Sequence, residues 1–268
     1  MTIEVKNLNY SYPNGKEVLK DISFTISEPG LYCILGPNGV GKSTLVKCID
    51  KLLEPSSGTI SVNGKDVKDC SVRDISEVIS YVPVSSATVF SLTVLDSVLM
   101  GRHGGRKWRN SKEDLDIVYK AMKIFGLDGL AMRNTNELSA GQNQSVGLAR
   151  GLVQDTEIII LDEPTANLDV RHQVYVTELF SELALRTGKI VIMISHDLNI
   201  TAKYAKQIIL MSEPGVIYRI GTPDEIITSE NIEYVYGVRC DVFTESGHPL
   251  VSLGHPLSDT EIEEIRQK

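Results

Sequence analysis

One glycine-rich segment constrains the folding of this chain more than any other feature of its 268 residues. It has the pattern G-x-x-x-x-G-K-S-T and consists of Gly36, Pro37, Asn38, Gly39, Val40, Gly41, Lys42, Ser43 and Thr44. A short apolar run, residues 31–35, precedes it, and apolar residues at helical spacing follow it. The glycines let backbone N–H groups surround a phosphate chain at the positive end of the following helix. The segment predicts a strand–loop–helix unit in which Lys42 reaches the outer phosphates and the Ser43 hydroxyl binds Mg²⁺.

A second apolar run, residues 158–161, ends in two adjacent acidic residues. Mg²⁺ prefers one or two carboxylates together with phosphate oxygens, so Asp162 is predicted to contact the metal. Glu163 is predicted to face the terminal phosphate and to orient or deprotonate the attacking water. A helix over about 170–186 and another apolar run at 190–194 are predicted next. Strand, helix and strand with continuous apolar runs are typical of a parallel sheet covered on both faces.

The remaining patterns predict a mixed α/β protein. Turn residues at 12–15 and at 63–64 indicate antiparallel hairpins in the first third of the chain. The helix after the glycine-rich loop is predicted to bury one apolar face, formed by Leu45, Ile49 and Leu52. A later helix, capped by Ser111, is predicted to bury Leu115, Val118, Tyr119 and Met122. A third helix is predicted to begin at Ser139, with Gln142 completing its capping pattern.

Composition and charge exclude several classes of function. A net charge of −8 argues against a nucleic-acid-binding protein held by a general basic field, and the basic stretch 102–109 is interpreted as a solvated or docking loop. The apolar runs are far shorter than the ~20 residues that span a bilayer. Residues 1–10 do not resemble a signal peptide. The four cysteines are isolated, and Cys240, His248 and His255 match no common zinc spacing. These features predict a soluble protein of a reducing compartment with no nucleic-acid partner.

Residues 138–142 point to a family that the chain resembles. They are Leu138, Ser139, Ala140, Gly141 and Gln142, and they are similar to the LSGGQ signature of the ATP-binding cassette (ABC) ATPases, with one glycine replaced by alanine. Further matches follow the family order along nearly the whole chain. They are Tyr12 at the aromatic that stacks on adenine, Asp169 in a D-loop-like segment, and His196 at the switch histidine.

The resemblance implies the ABC ATPase fold, an α/β architecture with a RecA-like parallel-sheet core, an antiparallel β subdomain and a helical signature subdomain. It assigns residues 1–211 to the ATPase domain and residues 212–268 to a C-terminal extension. Within the domain, it assigns 1–30 and 56–67 to the antiparallel part, 31–55, 68–84 and 155–211 to the ATP-binding core, and 88–153 to the helical subdomain.

The resemblance also implies that the chain binds ATP with Mg²⁺ and hydrolyses it as a homodimer. Two ATP molecules lie between the chains in this family, and the Ser139 end of one chain closes on the γ-phosphate held by the other. Glu163 and His196 are the implied catalytic residues, and Ser43 and Asp162 are the implied metal ligands. The implied nucleotide-binding residues are Tyr12, Gly36, Pro37, Asn38, Gly39, Val40, Gly41, Lys42, Ser43, Thr44, Ser139, Ala140, Gly141, Gln142 and Asp169.

The chain departs from the family where a glutamine normally follows the sequence YVP. Val84 stands there, and its side chain can neither contact Mg²⁺ nor hydrogen-bond the attacking water. Loss of one such contact costs on the order of 2–4 kcal/mol if the contact acts only in the transition state. Slower hydrolysis with intact ATP binding is therefore expected, unless Ser85, Ser86 or a water molecule supplies the missing contact. Ala140 is a milder departure because it keeps its N–H donor, and Ser145 replaces a residue that is basic in many relatives.

Softer matches at 93–102 and 234–238 resemble the importer ATPases for iron–siderophore, haem and cobalamin uptake. They imply a peripheral subunit on the cytoplasmic face of the membrane, bound to two membrane permease subunits and served indirectly by an extracytoplasmic binding protein. The segment from Val84 to Arg109 is the hypothesised docking surface for the permease. Two alternatives stay open. One is an ABC ATPase without a pore, as in iron–sulfur cluster assembly, and the other is a nucleotide switch that barely hydrolyses ATP.

Overall fold

The computed structural model describes residues 1–13, 15–84, 92–103 and 112–267. The strands are β1 (Ile3–Ser11), β2 (Glu17–Ile26), β3 (Gly30–Leu35), β4 (Ser57–Val62), β5 (Lys65–Asp66), β6 (Ile79–Val82), β7 (Ile158–Leu161), β8 (Ile190–Ile194), β9 (Gln207–Ser212), β10 (Val216–Gly221), β11 (Val238–Glu245) and β12 (His248–Pro256). The helices are α1 (Lys42–Ile49), α2 (Val72–Val78), α3 (Val94–Leu99), α4 (Lys112–Ile124), α5 (Ala140–Val153), α6 (Val170–Thr187), α7 (Leu198–Tyr204), α8 (Pro223–Ile226), α9 (Ser229–Tyr236) and α10 (Asp259–Gln267).

A six-stranded sheet with the order β10-β9-β3-β8-β7-β6 forms the centre of the fold. Its neighbouring strands are parallel, apart from the antiparallel pair of β9 and β10. Every residue of β3, β7 and β8 is buried, because helices cover both faces. Alternate residues of β3 enter two cores: Ile34 packs in the cluster that contains Ile49 of α1, and Leu35 in the one that contains Phe180 of α6. The predicted parallel sheet is confirmed.

Three segments that are distant in sequence meet at one edge of this sheet. The strands β3, β8 and β7 are parallel neighbours, so their carboxyl ends point the same way. The glycine-rich loop follows β3, Asp162 and Glu163 follow β7, and His196 follows β8 closely. The carboxyl edge of such a sheet is where α/β proteins usually bind ligands.

A four-stranded antiparallel sheet with the order β2-β1-β4-β5 lies beside the first core. The pairing of β1 with β2 and of β1 with β4 confirms the antiparallel elements predicted in the first third of the chain. Alternating residues such as Ile3 and Val5 are buried with the α1 residues, as expected for a sheet with one face toward solvent. The mixed α/β fold class is therefore confirmed.

A third core joins α3, α4 and α5. Val118 and Met122 of α4 are buried there as predicted. The same prediction was wrong for Tyr119, which is 47% exposed because it lies about 100° round the helix from Val118. Leu52 is also 52% exposed, since α1 ends at Ile49 and Lys51 has a left-handed backbone with φ 58°. Ser111 lies outside the described residues.

The chain beyond residue 211 packs on the second core. Strand β10 pairs with β9 and extends the central sheet, and α8 and α9 contribute buried residues including Ile226 and Ile232. The strands β11 and β12 pair with each other in a separate two-stranded sheet, here called the C-terminal hairpin. No helix in the described part of the chain is long and apolar enough to cross a membrane.

The four cysteines are free thiols. Cys33 in β3 and Cys48 in α1 are fully buried, and burial raises the pKa of each thiol to about 12. Cys240 is buried in the hairpin, and burial raises the pKa of its thiol as well. Cys70 is partly exposed.

Substitution of Phe180 by alanine is expected to lower the free energy of unfolding by about 3–5 kcal/mol. The Phe180 ring is fully buried in α6, and its centroid lies 6.4 Å from that of Phe125. Urea unfolding measures the loss, with Leu185→Ala on the exposed face of the same helix as the control. Equal losses from the two variants would contradict the central position of Phe180.

Candidate functional site

The glycine-rich loop has a backbone that only glycine accommodates at two of its positions. Gly41 has φ 106°, and a Cβ there would lie 2.9 Å from the carbonyl oxygen of Val18. A Cβ at Gly36 would lie 2.5 Å from the carbonyl oxygen of Met211. The loop therefore keeps its curved backbone free of side-chain atoms, as a phosphate cradle requires.

Lys42 places its ammonium group inside the loop. The Nζ atom donates hydrogen bonds to the carbonyl oxygens of Gly36 at 2.7 Å and Pro37 at 2.9 Å. Burial lowers the pKa of Lys42, whereas the nearby charges of Glu163 and Asp162 act in the opposite direction. An ammonium held inside the glycine-rich loop favours a negatively charged phosphate chain, so the loop fits the ligand that the sequence predicts.

Asp162 is held by two hydroxyl groups from different parts of the chain. Ser43 Oγ donates to Asp162 Oδ1 at 2.8 Å, and Tyr81 Oη donates to Asp162 Oδ2 at 2.9 Å. The carboxylate is only 2% exposed. A serine hydroxyl and a carboxylate that are in contact are hard oxygen donors of the kind Mg²⁺ takes together with phosphate oxygens. The predicted pair Ser43 and Asp162 therefore lies together and fits the metal.

Tyr81 is a site residue that the sequence reasoning missed. It lies on β6 and pairs with Ile160 of β7, which brings its hydroxyl next to Asp162. Burial and the charge of Asp162 raise the pKa of Tyr81, so the phenol stays protonated and remains a donor. The signal that would have found it is the adjacency of β6 and β7, which the sequence alone does not give.

Glu163 and His196 form a pair beside the loop. Glu163 Oε1 lies 2.8 Å from His196 Nε2, and both side chains are partly exposed. Glu163 has a left-handed backbone with φ 50°, which turns the chain sharply at the end of β7. A carboxylate in contact with an imidazole and open to solvent can accept a proton from a bound water.

A cavity of about 280 Å³ joins the loop to Glu163 and to the hairpin between β1 and β2. Tyr12, Lys16 and Val18 line its other side. Tyr12 Oη lies 3.2 Å from Thr44 Oγ1, and Tyr10 contacts the Tyr12 ring edge-on at 5.0 Å between centroids. An aromatic ring and an apolar side chain suit a flat base next to the phosphates. Lys16 and Val18 were not predicted, because the hairpin register brings them there.

The helix that begins after Ser139 has the predicted capping box. Gln142 N donates to Ser139 Oγ at 3.2 Å, and Ser139 N donates to Gln142 Oε1 at 3.0 Å. Ser139 and Ala140 are exposed, and the described residues that line the loop cavity include none of the positions 139–142. A Cβ at Gly141 would lie 3.1 Å from the carbonyl oxygen of Asn167, so the helix start is packed against the segment before Asp169.

Asp169 caps α6 and does not line the loop cavity. Its carboxylate accepts the His172 N–H at 2.9 Å and lies 2.8 Å from His172 Nδ1. These contacts lower the pKa of Asp169 and keep it ionised, and the hydrogen bond from the His172 backbone has the largest effect. Within one chain, Ser139 and Asp169 are thus not brought to the phosphate loop.

Comparison with known proteins settles the family. The family model described as ABC transporter matches residues 19–166, which include the phosphate loop, the signature and Asp162. The chain belongs to the ABC transporter family. Members of this family hydrolyse ATP and bind it with Mg²⁺, so this ABC ATPase is an ATP hydrolase. The family that the sequence motifs predicted is confirmed.

Curated relatives match along most of this ABC ATPase. An uncharacterised ABC transporter ATP-binding protein of Methanocaldococcus jannaschii is 38% identical over 94% of this chain and 97% of its own. The ferric enterobactin transport ATP-binding protein of Escherichia coli is 36% identical over 87% of this chain and 88% of its own. The cobalamin import ATP-binding protein of Halobacterium salinarum is 34% identical over 97% of this chain and 64% of its own.

Solved structures agree with these relatives. One shows an inward-facing conformation of a transporter assigned to the metal-chelate type, with a TM-score of 0.79 at 26% identity, covering 97% of this chain and 99% of that one. Another is a dimeric bacterial ABC transporter cassette, with a TM-score of 0.76 at 28% identity, covering 82% of this chain and 98% of that one.

Substitution of Asp50 by asparagine is expected to stabilise this ABC ATPase at alkaline pH. Asp50 follows α1 near Tyr81, and burial raises its pKa to about 7 from the usual 3.8. The folded chain therefore binds a proton that the unfolded chain releases between these values, so stability falls as pH rises through this window. The slope is at most about 1.4 kcal/mol per pH unit.

Urea unfolding at pH 4, 6 and 8 measures this effect. Asp50→Asn is expected to match the wild type at pH 4 and to exceed it at pH 8. The exposed Asp116→Asn on α4 is the control and should show no such divergence. A stability difference that does not change with pH would contradict the raised pKa of Asp50.

Proposed function

We propose that this chain is the ATP-binding and ATP-hydrolysing subunit of an importer for a metal chelate, such as an iron–siderophore, haem or cobalamin complex. The main observation that supports ATP hydrolysis is the contact of Glu163 with His196 beside the phosphate loop. The relatives named for ferric enterobactin and cobalamin support the class of cargo. Neither alternative, a cluster-assembly ATPase or a silent switch, gains support from the relatives.

The proposed reaction divides the work among the site residues. Lys42 and the loop N–H groups hold the β- and γ-phosphates, and Tyr12 and Val18 hold the adenine. Ser43 and Asp162 would hold Mg²⁺, which would supply positive charge to the phosphate oxygens. Glu163 orients and deprotonates the attacking water, and His196 donates to the γ-phosphate as negative charge develops on it.

A homodimer completes the proposed site. The exposed start of α5 offers free backbone N–H groups and a positive helix end, but not toward its own phosphate loop. A second copy would bring Ser139, Ala140, Gly141 and Gln142 to the γ-phosphate, with Asp169 at the contact between the chains. The dimeric cassette among the structural neighbours supports this arrangement.

The proposed partners are two membrane permease subunits. They would hold the chain at the cytoplasmic face of the membrane, and they would receive the cargo from an extracytoplasmic binding protein. The hypothesised docking surface from Val84 to Arg109 includes residues 85–91 and 104–109, which lie outside the described residues. At its described parts, Val84, Leu92 and Met100 are exposed apolar side chains, as a protein-contact surface requires.

Substitution of Glu163 by glutamine is expected to reduce kcat for ATP hydrolysis by about 10²–10⁴-fold, because the amide cannot accept the proton. Phosphate release with Mg²⁺ and ATP measures turnover, and titration with a fluorescent ATP analogue checks that binding is retained. Glu178→Gln, an exposed position on α6, is the matched control. Full turnover in Glu163→Gln would remove Glu163 from the proposed mechanism.

Substitution of Val84 by glutamine is expected to raise kcat by about tenfold or more, because the amide restores a polar contact to the attacking water. Val84 is 38% exposed, so the change requires no repacking of a core. Nucleotide affinity should stay within about twofold, since the contact acts in the transition state. Val72→Gln, on the exposed side of α2, controls for the effect of placing an amide on the protein surface. An unchanged kcat would show that Val84 does not limit the rate.

A further inference from the structure

The C-terminal hairpin is tied to the helix that follows His196. Asn199 lies in the first turn of α7, and its Oδ1 atom accepts the Val251 N–H at 2.7 Å. Its Nδ2 atom donates to the Val251 carbonyl oxygen at 3.3 Å. One side chain thus bonds both backbone groups of a residue on β12.

The turn that carries His196 leads directly into the first turn of α7, where Asn199 lies. Asp197 caps α7 by accepting the Ile200 N–H at 2.8 Å, and its own N–H donates to Ser195 Oγ at 3.2 Å. His196 lies between these two fixed residues and contacts Glu163 at 2.8 Å. A shift of the first turn of α7 therefore moves the imidazole relative to Glu163.

A cavity of about 300 Å³ lies between His196 and the hairpin. His196 lines it together with Tyr236 and Val251. Beside this cavity, Leu198 of α7 and Val251 of β12 pack in the second core, so α7 and the hairpin are also in direct contact. The two hydrogen bonds of Asn199 span from α7 to the hairpin at the wall of this cavity.

We propose that Asn199 is a positioning residue for ATP hydrolysis, through which the C-terminal hairpin sets the position of His196. The inference rests on the proposed role of His196 at the γ-phosphate. The proposal gives the C-terminal hairpin (β11 and β12) a role in ATP hydrolysis, although the hairpin contributes no residue to the phosphate loop cavity described above. A displacement as small as about 1 Å of a catalytic group is enough to reduce turnover strongly.

A double-mutant cycle tests this coupling. Asn199→Leu removes both hydrogen bonds while keeping the branched shape of the side chain, and it is expected to lower kcat about tenfold while KM for ATP stays within about twofold. In a His196→Ala background, Asn199→Leu should cause no further loss, because the group that it positions is gone. Asn199→Asp keeps the acceptor for the Val251 N–H and should retain more activity than Asn199→Leu.

Asn231→Leu is the matched control. Asn231 is buried on α9 and donates to the carbonyl oxygens of Ile226 at 2.9 Å and Glu225 at 3.2 Å, so its loss weakens the fold without touching the His196 turn. Its kcat is expected to match that of the wild type at a temperature where both are folded. The imidazole NMR signal of His196, assigned by its absence in His196→Ala, should move in Asn199→Leu and not in Asn231→Leu.

Four results would overturn the inference. An unchanged kcat in Asn199→Leu, or an equal loss in the His196→Ala background, would mean that Asn199 does not act through His196. An unmoved His196 signal would mean the same where His196→Ala leaves no measurable turnover. Full turnover in His196→Ala, by contrast, would overturn the role proposed for His196, and the inference with it.

Discussion

The buried carboxylate of Asp162 is the point on which the arrangement of the site depends. A carboxylate removed from water is costly unless its oxygens are hydrogen-bonded, and here Ser43 and Tyr81 each satisfy one of them. Ser43 belongs to α1 and Tyr81 to β6, while Asp162 follows β7. Satisfying this one charge therefore fixes the phosphate loop against two strands of the sheet.

The parallel sheet brings together site residues that are far apart in the sequence. Because β3, β8 and β7 run the same way, the residues after them emerge at one edge without any need for a contact between their loops. The buried apolar runs anchor the strands from both faces, so the polar residues at the edge stand on a rigid base. The site thus consists of short polar segments on a scaffold that the buried apolar strands and their packed helices stabilise.

Local patterns in the sequence predicted those parts of the molecule that local chemistry determines. The strand Ile190–Ile194 and the capping box of Ser139 follow from an apolar run and from cap residues. The phosphate-loop motif and the acidic end of an apolar run led to Ser43 and Asp162, which the structure brings into contact. Tyr81, Val18 and Asn199 were out of reach, because their importance depends on which strands are neighbours and on hairpin register. The prediction that Tyr119 is buried was wrong for a related reason. On a helix, an apolar residue next to a buried one points in a different direction, here toward solvent.

The burial of the thiols has a practical chemical consequence. With pKa values of about 12, Cys33 and Cys48 are almost entirely protonated at neutral pH, and the sheet and α1 shield them from reagents. Cys70, partly exposed beside the antiparallel sheet, keeps its sulfur near the surface and donates to the Asp66 carbonyl oxygen at 3.3 Å. A maleimide dye added to the folded, unmodified chain would therefore attach first at Cys70 and report optically on the surface beside the antiparallel sheet.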